Sequence, residues 1–290
     1  MPLPNDLPVV DHHCHLSDGA RGLEAARRFE RSGGTHLFLA TQQYGAAPPA
    51  SVSDYAAQFE ITDGIARRIE EATRVRVYRV VAPYPVDLLH LAPSLGITEA
   101  MRVLDGALEL AGRWVEEGRA VALGEVGRPH FPLDAPLQDA SEELFRRALE
   151  VGRDVGCPVV VHSEDLGEAG YQAMAALAAR VGFPVGRLVK HYARSFLESS
   201  QRAGVVPSFL ATREVVKASL TDPGPWFWET DYLDDPKRPG AVLDIETIPR
   251  RALSVAGPEG ARAEALRIPF ESSVRSVYGF TPTWDGRRAG

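Results

Sequence analysis

Two histidines two residues apart, at the end of a short apolar run, have a spacing that suits metal ligands. The run reads VVDHHCH and predicts a strand near the start of the chain. Because side chains alternate along a strand, His13 and His15 should share one face, with Asp11 below them. His12 and Cys14 should face away from that pair. Two imidazoles on one face can hold one divalent cation, although this spacing alone is common.

Four more polar side chains end later apolar runs, and they strengthen the metal interpretation. They are Glu125, His162, His191 and Asp231. Strand alternation predicts an inward-facing row beneath each of them: Val121 and Leu123 under Glu125, Val160 under His162, Val189 under His191, and Phe227 and Glu229 under Asp231. One such residue alone could be a core side chain satisfied by a neighbour. Several that converge on one place are hard to explain as core.

The chemistry of these side chains indicates the kind of cation. Nitrogen and oxygen ligands without thiolate suit zinc, manganese or a similar divalent ion, and such sites can hold two metals. Four histidines and two carboxylates are too many for one tetrahedral ion. We therefore predict two divalent ions, drawn from zinc, manganese, magnesium and iron. The predicted ligands are His13, His15, Glu125, His162, His191 and Asp231.

Bulk properties limit the class of protein. The chain has 290 residues, of which 44% are hydrophobic, and a net charge of −7. That charge argues against a protein that coats long duplex DNA. With only two cysteines, a cytoplasmic location is expected. The first residues lack a basic start and an apolar core, and no apolar run approaches 18 residues, so we expect neither a signal peptide nor a membrane span.

The elements that must position the ligands alternate along the chain. Short Val, Leu and Phe-rich runs alternate with stretches of helical period, which is typical of βα units and a parallel sheet. We predict strands near 8–13, 35–40, 75–81, 120–125, 158–162, 187–191, 205–209 and 226–231. Eight such units favour an α/β fold of the closed (β/α)8 TIM barrel type. A doubly wound open sheet would show a glycine-rich phosphate loop after its first strand, and none is present.

We expect a single domain over 1–290, with the barrel over about 8–257 and a C-terminal extension over about 258–290. Asp139 followed by Glu142 resembles a capping start for the helix before the fifth strand. Two long loops, 41–51 and 232–245, leave the C-terminal ends of their strands. Barrel active sites are built at that end, the mouth.

The order His-x-His, Glu, His, His, Asp on strands 1, 4, 5, 6 and 8 resembles the amidohydrolase superfamily. Within it, GEVG at 124–127, PVVVHS at 158–163 and ETD at 229–231 are similar to the TatD-related deoxyribonucleases, and the resemblance covers about residues 8 to 250. In that family the glutamate bridges two ions. The resemblance therefore implies a bridge at Glu125, one metal beside His13, His15 and Asp231, and another beside His162 and His191.

The chain also departs from the family pattern. The nucleases usually continue Gly-Glu-x-Gly with Leu-Asp, whereas this chain has Arg128 and His130 two residues apart. Glu164 and Asp165 follow the fifth-strand histidine, where an arginine is often seen, and the loop after Asp231 is longer than the nuclease version. The whole is similar to an uncharacterised TatD-related subgroup. The resemblance therefore implies the metal ligands of this chain, but it does not identify the substrate.

Other charged residues are candidates for substrate contact. Arg128 and His130 enter a loop at the mouth, so we predict that they touch the substrate. Lys190 and Arg194 could hold a phosphate or a developing anion, but strand alternation turns Lys190 away from the barrel axis, where an ion pair is the alternative.

Two buried acids and two loop cations complete the set of candidates. Asp11 and Glu229 are predicted as outer partners that support the metal ligands. Lys237 and Arg238 are predicted to be solvated loop charges.

The leading functional hypothesis is a TatD-like deoxyribonuclease acting on DNA ends or short single strands. In this hypothesis a water held by the metals would lose a proton that Asp231 receives or relays, and the hydroxide would displace the leaving oxygen from phosphorus. The ions would stabilise both oxygens of the displacement, with Glu125 as the bridge that the resemblance implies. The first alternative is a small-molecule hydrolase of an amide, lactone, ester or phosphoester, and the acidic net charge favours it. The second alternative is a metal-binding scaffold without turnover, which a complete ligand set disfavours. Oligomeric state is left open.

Overall fold

The protein is described by a computed structural model over residues 3–235, 242–257 and 263–284. Lys237 and Arg238 lie outside these ranges. The strands are β1 Val10–His15, β2 His36–Ala40, β3 Arg76–Val81, β4 Ala122–Gly127, β5 Val159–His162, β6 Leu188–Ala193, β7 Val206–Leu210, β8 Phe227–Glu229 and β9 Tyr232–Leu233. All neighbours pair in parallel, in the order β8-β7-β6-β5-β4-β3-β2-β1-β9.

The ring closes between the last and first strands. Only two residues separate β8 from β9, and β9 pairs with β1, where Cys14 lies opposite Tyr232. The Asp231 amide also donates to the His13 carbonyl at 3.0 Å. The predicted (β/α)8 TIM barrel is therefore confirmed.

The α-helices within the described ranges surround this sheet. They are α1 Ala20–Arg31, α2 Val52–Ala72, α3 Asp87–Leu95, α4 Ile97–Glu116, α5 Ala135–Val155, α6 Glu168–Arg180, α7 Arg213–Ser219, α8 Thr247–Ala256 and α9 Ser273–Tyr278. None of these helices combines the length and the apolar composition needed to cross a membrane.

Helix α5 begins earlier than its sequence pattern predicts. The Asp134 carboxylate accepts the Leu137 amide at 3.0 Å and caps the helix. Pro136 then occupies the first turn, where a missing N–H costs nothing. The predicted capping start at Asp139 was therefore wrong, because an earlier cap followed by proline starts the helix one turn sooner.

Strand alternation fails in β1 because the strand has a bulge. The register with β2 shifts between Asp11 and Cys14, so one extra residue enters the strand. As a result His12 does not face away beside Cys14, and that prediction was wrong. The His12 ring stacks on Phe227 at 3.9 Å inside the barrel, whereas Cys14 packs outside against Phe29 of α1.

A second irregularity in β4 turns Glu125 into the barrel. The register with β5 shifts between Leu123 and Val126. Leu123 packs outside with α4 and α5, so its predicted place under Glu125 was wrong. A Cβ on Gly124 would lie 2.7 Å from the Val160 Cβ, which explains why the bend is at glycine.

The described residues after α8, over 263–284, cover the N-terminal end of the barrel, away from the mouth. Trp284 lies against His36, the first residue of β2, with ring centroids 6.4 Å apart. Tyr278 of α9 reaches inside, where its hydroxyl is 2.7 Å from His12 Nε2. Burial lowers the pKa of His12 to about 3, so this imidazole is neutral. The other ring nitrogen of His12, Nδ1, lies 3.1 Å from Ser208 Oγ.

A buried ion pair before β8 supplies a stability prediction. Asp222 Oδ1 lies 2.9 Å from Arg202 Nη2, and both side chains are only 3% exposed. Asp222→Asn leaves the guanidinium buried without its counter-charge, so we expect the free energy of unfolding to fall by about 3–5 kcal/mol in urea denaturation. Glu24→Gln removes the exposed pair with Arg31 and should change stability little. Equal effects of the two substitutions would contradict this account.

Candidate metal centre

Six side chains from five strand ends meet at the mouth of the barrel, with Glu125 at their centre. Its Oε1 lies 2.8 Å from His13 Nε2 and 2.9 Å from His15 Nε2. Its Oε2 lies 3.0 Å from His162 Nδ1 and 3.4 Å from His191 Nε2. Each carboxylate oxygen therefore faces a different pair of imidazoles.

Asp231 joins the first pair. Its Oδ1 is 3.6 Å from His15 Nε2 and 3.9 Å from His13 Nε2. The residue follows β8 with a positive φ of 47°, an unusual conformation for a non-glycine residue. Its side chain is 17% exposed, against 4% for Glu125, so it is the more open carboxylate.

The arrangement fits divalent cations. The Nε2 atoms of His13 and His15 are 3.2 Å apart, as are His162 Nδ1 and His191 Nε2. Facing ring nitrogens beside carboxylate oxygens can share a cation between them. Three groups of side chains could each hold a cation, because the ligand atoms within each group lie within 4.8 Å of one another. The groups are His13, His15 and Asp231; Glu125, His162 and His191; and His13, His191 and Glu229.

The carboxylates and imidazoles of the centre shift one another's pKa values. Burial opposes ionisation of Glu125, but the imidazoles of His191 and His13 hold the pKa of this carboxyl well below its usual range. Burial likewise opposes protonation of His191, but the carboxylates of Glu125 and Glu229 raise its pKa to about 10. Because ligand imidazoles must be neutral, a cation that binds here displaces a proton.

Glu229 lies behind the ligands, in the barrel interior. It is fully buried, and its Oε1 is 3.3 Å from His191 Nδ1 and accepts the Tyr192 amide at 2.6 Å. Its Oε2 has no hydrogen-bond partner among the residues described. A carboxylate behind a ligand imidazole fixes the ring orientation and raises its basicity.

Asp11 supports the centre through the main chain. Its Oδ1 accepts the Thr230 amide at 3.0 Å and the His13 amide at 3.3 Å. The Thr230 hydroxyl donates to the other oxygen. Asp11 therefore ties β1 to the residue before Asp231, and it contacts the backbone of a ligand instead of the imidazole for which it was predicted. The bulge in β1 accounts for this difference.

Two of the predicted substrate contacts, Arg128 and Lys190, have polar partners within the protein. Arg128 is bound by two carboxylates, with Nη1 2.6 Å from Glu142 and Nη2 2.8 Å from Glu164. Lys190 is fully buried and donates to the carbonyls of Ser163 and His191. Burial lowers its pKa to about 8. Alternation along β6 turns Lys190 behind the ligands, so it does not face the mouth.

The other two predicted contacts remain on the surface. His130 Nδ1 lies 3.1 Å from His162 Nε2, the nitrogen that faces away from Glu125. Arg194 is 58% exposed, with its Nε 3.8 Å from Asp165. Tyr84 is a neighbour of the site that was not predicted from the sequence. Its hydroxyl is 3.4 Å from the same nitrogen of His162. Its only sequence signal is its place just after β3, a strand that supplies no ligand.

Comparison with known proteins gives a family match over most of the chain. The family model described as TatD related DNase matches residues 10–279. An uncharacterized protein of Methanocaldococcus jannaschii is 32% identical over 256 residues, which cover 86% of this chain and 88% of the relative.

Solved structures resemble the fold. A TatD-like protein from Archaeoglobus fulgidus has a TM-score of 0.62 at 14% identity, over 93% of this chain and 100% of its own. A TatD homolog from Escherichia coli has a TM-score of 0.59 at 17% identity, over 93% and 98%. A mutant of a lactonase from Deinococcus radiodurans has a TM-score of 0.58 at 17% identity, over 96% and 97%. At these identities the likeness concerns the fold alone.

Proposed function

Because the chain belongs to the TatD-related DNase family of metal-dependent hydrolases, we propose that it hydrolyses phosphodiester bonds at DNA ends or in short single strands. The position of Glu125 is the observation that carries this proposal. Its two oxygens face separate imidazole pairs, an arrangement suited to two cations that share one carboxylate. A cytoplasmic location fits the two cysteines, which are buried free thiols.

Two sets of ligands divide the centre in this proposal. Glu125 belongs to both sets; the first also contains His13, His15 and Asp231, and the second His162 and His191. Zinc, manganese, magnesium or iron would suit these sets. When bound, such ions lower the pKa of water and stabilise charge on phosphoryl oxygens.

Asp231 is the residue that takes the proton from the attacking water. It is the more exposed carboxylate, and its contacts with the imidazoles are no shorter than 3.6 Å. Burial raises its pKa, and the imidazoles of His191, His13 and His15 only partly offset this effect. Glu125 is unsuited to the role because both of its oxygens face imidazole pairs, where they would hold the cations. A base needs both access to the water and sufficient basicity.

A small ester, lactone or phosphoester is the second candidate substrate, and the surroundings of the mouth favour it. Arg128 is neutralised by two glutamates and Lys190 is buried, so neither is available for the phosphates of a long chain. The net charge of −7 also disfavours polyanions. A scaffold without turnover is the remaining alternative, and the completeness of the ligand set argues against it.

A substrate panel tests the proposal. Metal-reconstituted protein is incubated with labelled single-stranded DNA, duplex DNA, RNA and small esters, with and without chelator. We expect one to two equivalents of metal by elemental analysis, loss of activity in chelator, and faster cleavage of short single strands than of closed duplex. Full activity in excess chelator would contradict the metal assignment. Hydrolysis of esters alone would favour the second candidate.

A further inference from the structure

One exposed aromatic side chain lies beside the metal centre. Three large apolar side chains are exposed among the residues described: Leu95 at 37%, Phe131 at 44% and Leu253 at 42%. Leu95 and Leu253 lie on helices α3 and α8. Phe131 is the only aromatic of the three, and it lies in the loop that leaves the C-terminal end of β4 and leads to α5.

A single imidazole separates Phe131 from a metal ligand. The His130 and Phe131 rings meet edge to face, with centroids 5.4 Å apart and planes at 85°. His130 Nδ1 is 3.1 Å from His162 Nε2, and the opposite nitrogen of His162 is 3.0 Å from Glu125. A group held against Phe131 therefore lies on the His162 side of the metal centre, with the His130 and His162 rings between it and Glu125.

The surface around Phe131 and His162 is formed by aromatic and imidazole rings, and its cation is paired with carboxylates. The cation of the same loop, Arg128, is bound to Glu142 and Glu164. Tyr84 also lies against His162, with ring centroids 5.1 Å apart. The surface therefore suits a planar apolar group and not a phosphate.

We propose that Phe131, held edge-on by His130, is a stacking surface for the nucleobase next to the scissile phosphodiester. The inference rests on the proposed function and narrows its substrate to one with an unpaired base beside the reacting phosphate. Bases within a duplex are already stacked on their neighbours, so Phe131 can accept a base only from a single strand or a frayed end. Stacking on an aromatic side chain is tolerant of base identity, so little sequence preference is expected.

The contribution of the nucleobase to affinity can be measured with two probes, one with a base and one without. Calorimetry on metal-reconstituted protein compares deoxyadenosine 5′-monophosphate with 2-deoxyribose 5-phosphate, which differ only by the base. We expect Phe131→Ala to weaken nucleotide binding by about 5–100-fold and to leave sugar phosphate binding unchanged. Phe131→Trp keeps a stacking face and should retain nucleotide binding. Leu253→Ala, an equally exposed apolar truncation on α8, is the control and should match the wild type.

Cleavage gives a second readout. The kcat/KM ratio for short single strands with a terminal base against those with a terminal abasic residue should fall in Phe131→Ala and stay constant in Leu253→Ala. Equal binding of the two probes by the wild type, or equal losses for both in Phe131→Ala, would overturn the inference even if DNA is cleaved. Failure to cleave any phosphodiester would instead refute the proposed function, while the binding comparison still decides the stacking surface.

Discussion

Asp231→Asn should lower turnover of the best substrate by about 10²–10⁴-fold, the span expected when a positioned base is lost. Asparagine keeps the shape and one carbonyl oxygen but removes the charge and the basicity. The barrel should still fold, because Asp231 lies at the mouth and its main-chain bond to His13 does not depend on the side chain. Steady-state kinetics at saturating metal measures the loss, and circular dichroism checks the fold.

Asp139→Asn is the matched control for this substitution, because it makes the same change at an exposed position on α5. It should leave turnover unchanged. Asp222, the carboxylate that precedes β8, is unsuitable as a control because its buried pair with Arg202 stabilises the fold. Near-normal turnover in Asp231→Asn would show that another group takes the proton.

Glu125→Gln should have the largest effect on metal binding. The carboxylate lies within 3.4 Å of a nitrogen from each of four histidines. Glutamine preserves the volume but removes the negative charge that lies within 3.4 Å of both imidazole pairs. Dialysis followed by elemental analysis, together with calorimetric titration of zinc or manganese, measures the change.

The loss of metal affinity in Glu125→Gln can be compared with the loss in Glu229→Gln. Glu229 stands behind His191, with its Oε1 3.3 Å from the Nδ1 of that ring, so its loss should weaken metal binding by about 10–100-fold. The loss in Glu125→Gln should exceed this range. Retention of the full metal content by Glu125→Gln would exclude its bridging position.

Simple alternation in β5 and in β6 up to His191 made part of the site predictable from the sequence. Val160 and Val189 lie in the barrel interior, and their strands continue to His162 and His191 as simple alternation requires. Parallel strands of a barrel end at one mouth, so residues far apart in sequence could be brought together by the fold class alone.

The bulged strands were not predictable in the same way. One extra residue in β1 and one irregularity in β4 change the faces of the residues before them relative to the ligands that follow, yet they leave the apolar composition of the run unchanged. The inward position of His12 and the outward position of Leu123 follow from these shifts.

Contacts between loops also could not be predicted from the spacing of residues along the sequence. Arg128 looked free at the mouth, but its partner Glu164 lies on the next loop. Tyr84 reaches His162 from the loop after β3. Such pairs depend on how neighbouring loops pack, which has no periodic signature along the chain.

Anomalous diffraction from crystals soaked in zinc or manganese shows whether two cations share Glu125. We expect two peaks roughly 3.5–4 Å apart on either side of Glu125. One peak should lie beside His15 and Asp231, and the other beside His162. A mouth without peaks at saturating metal, or metal bound only at other positions, would contradict the assignment of these side chains as a metal centre.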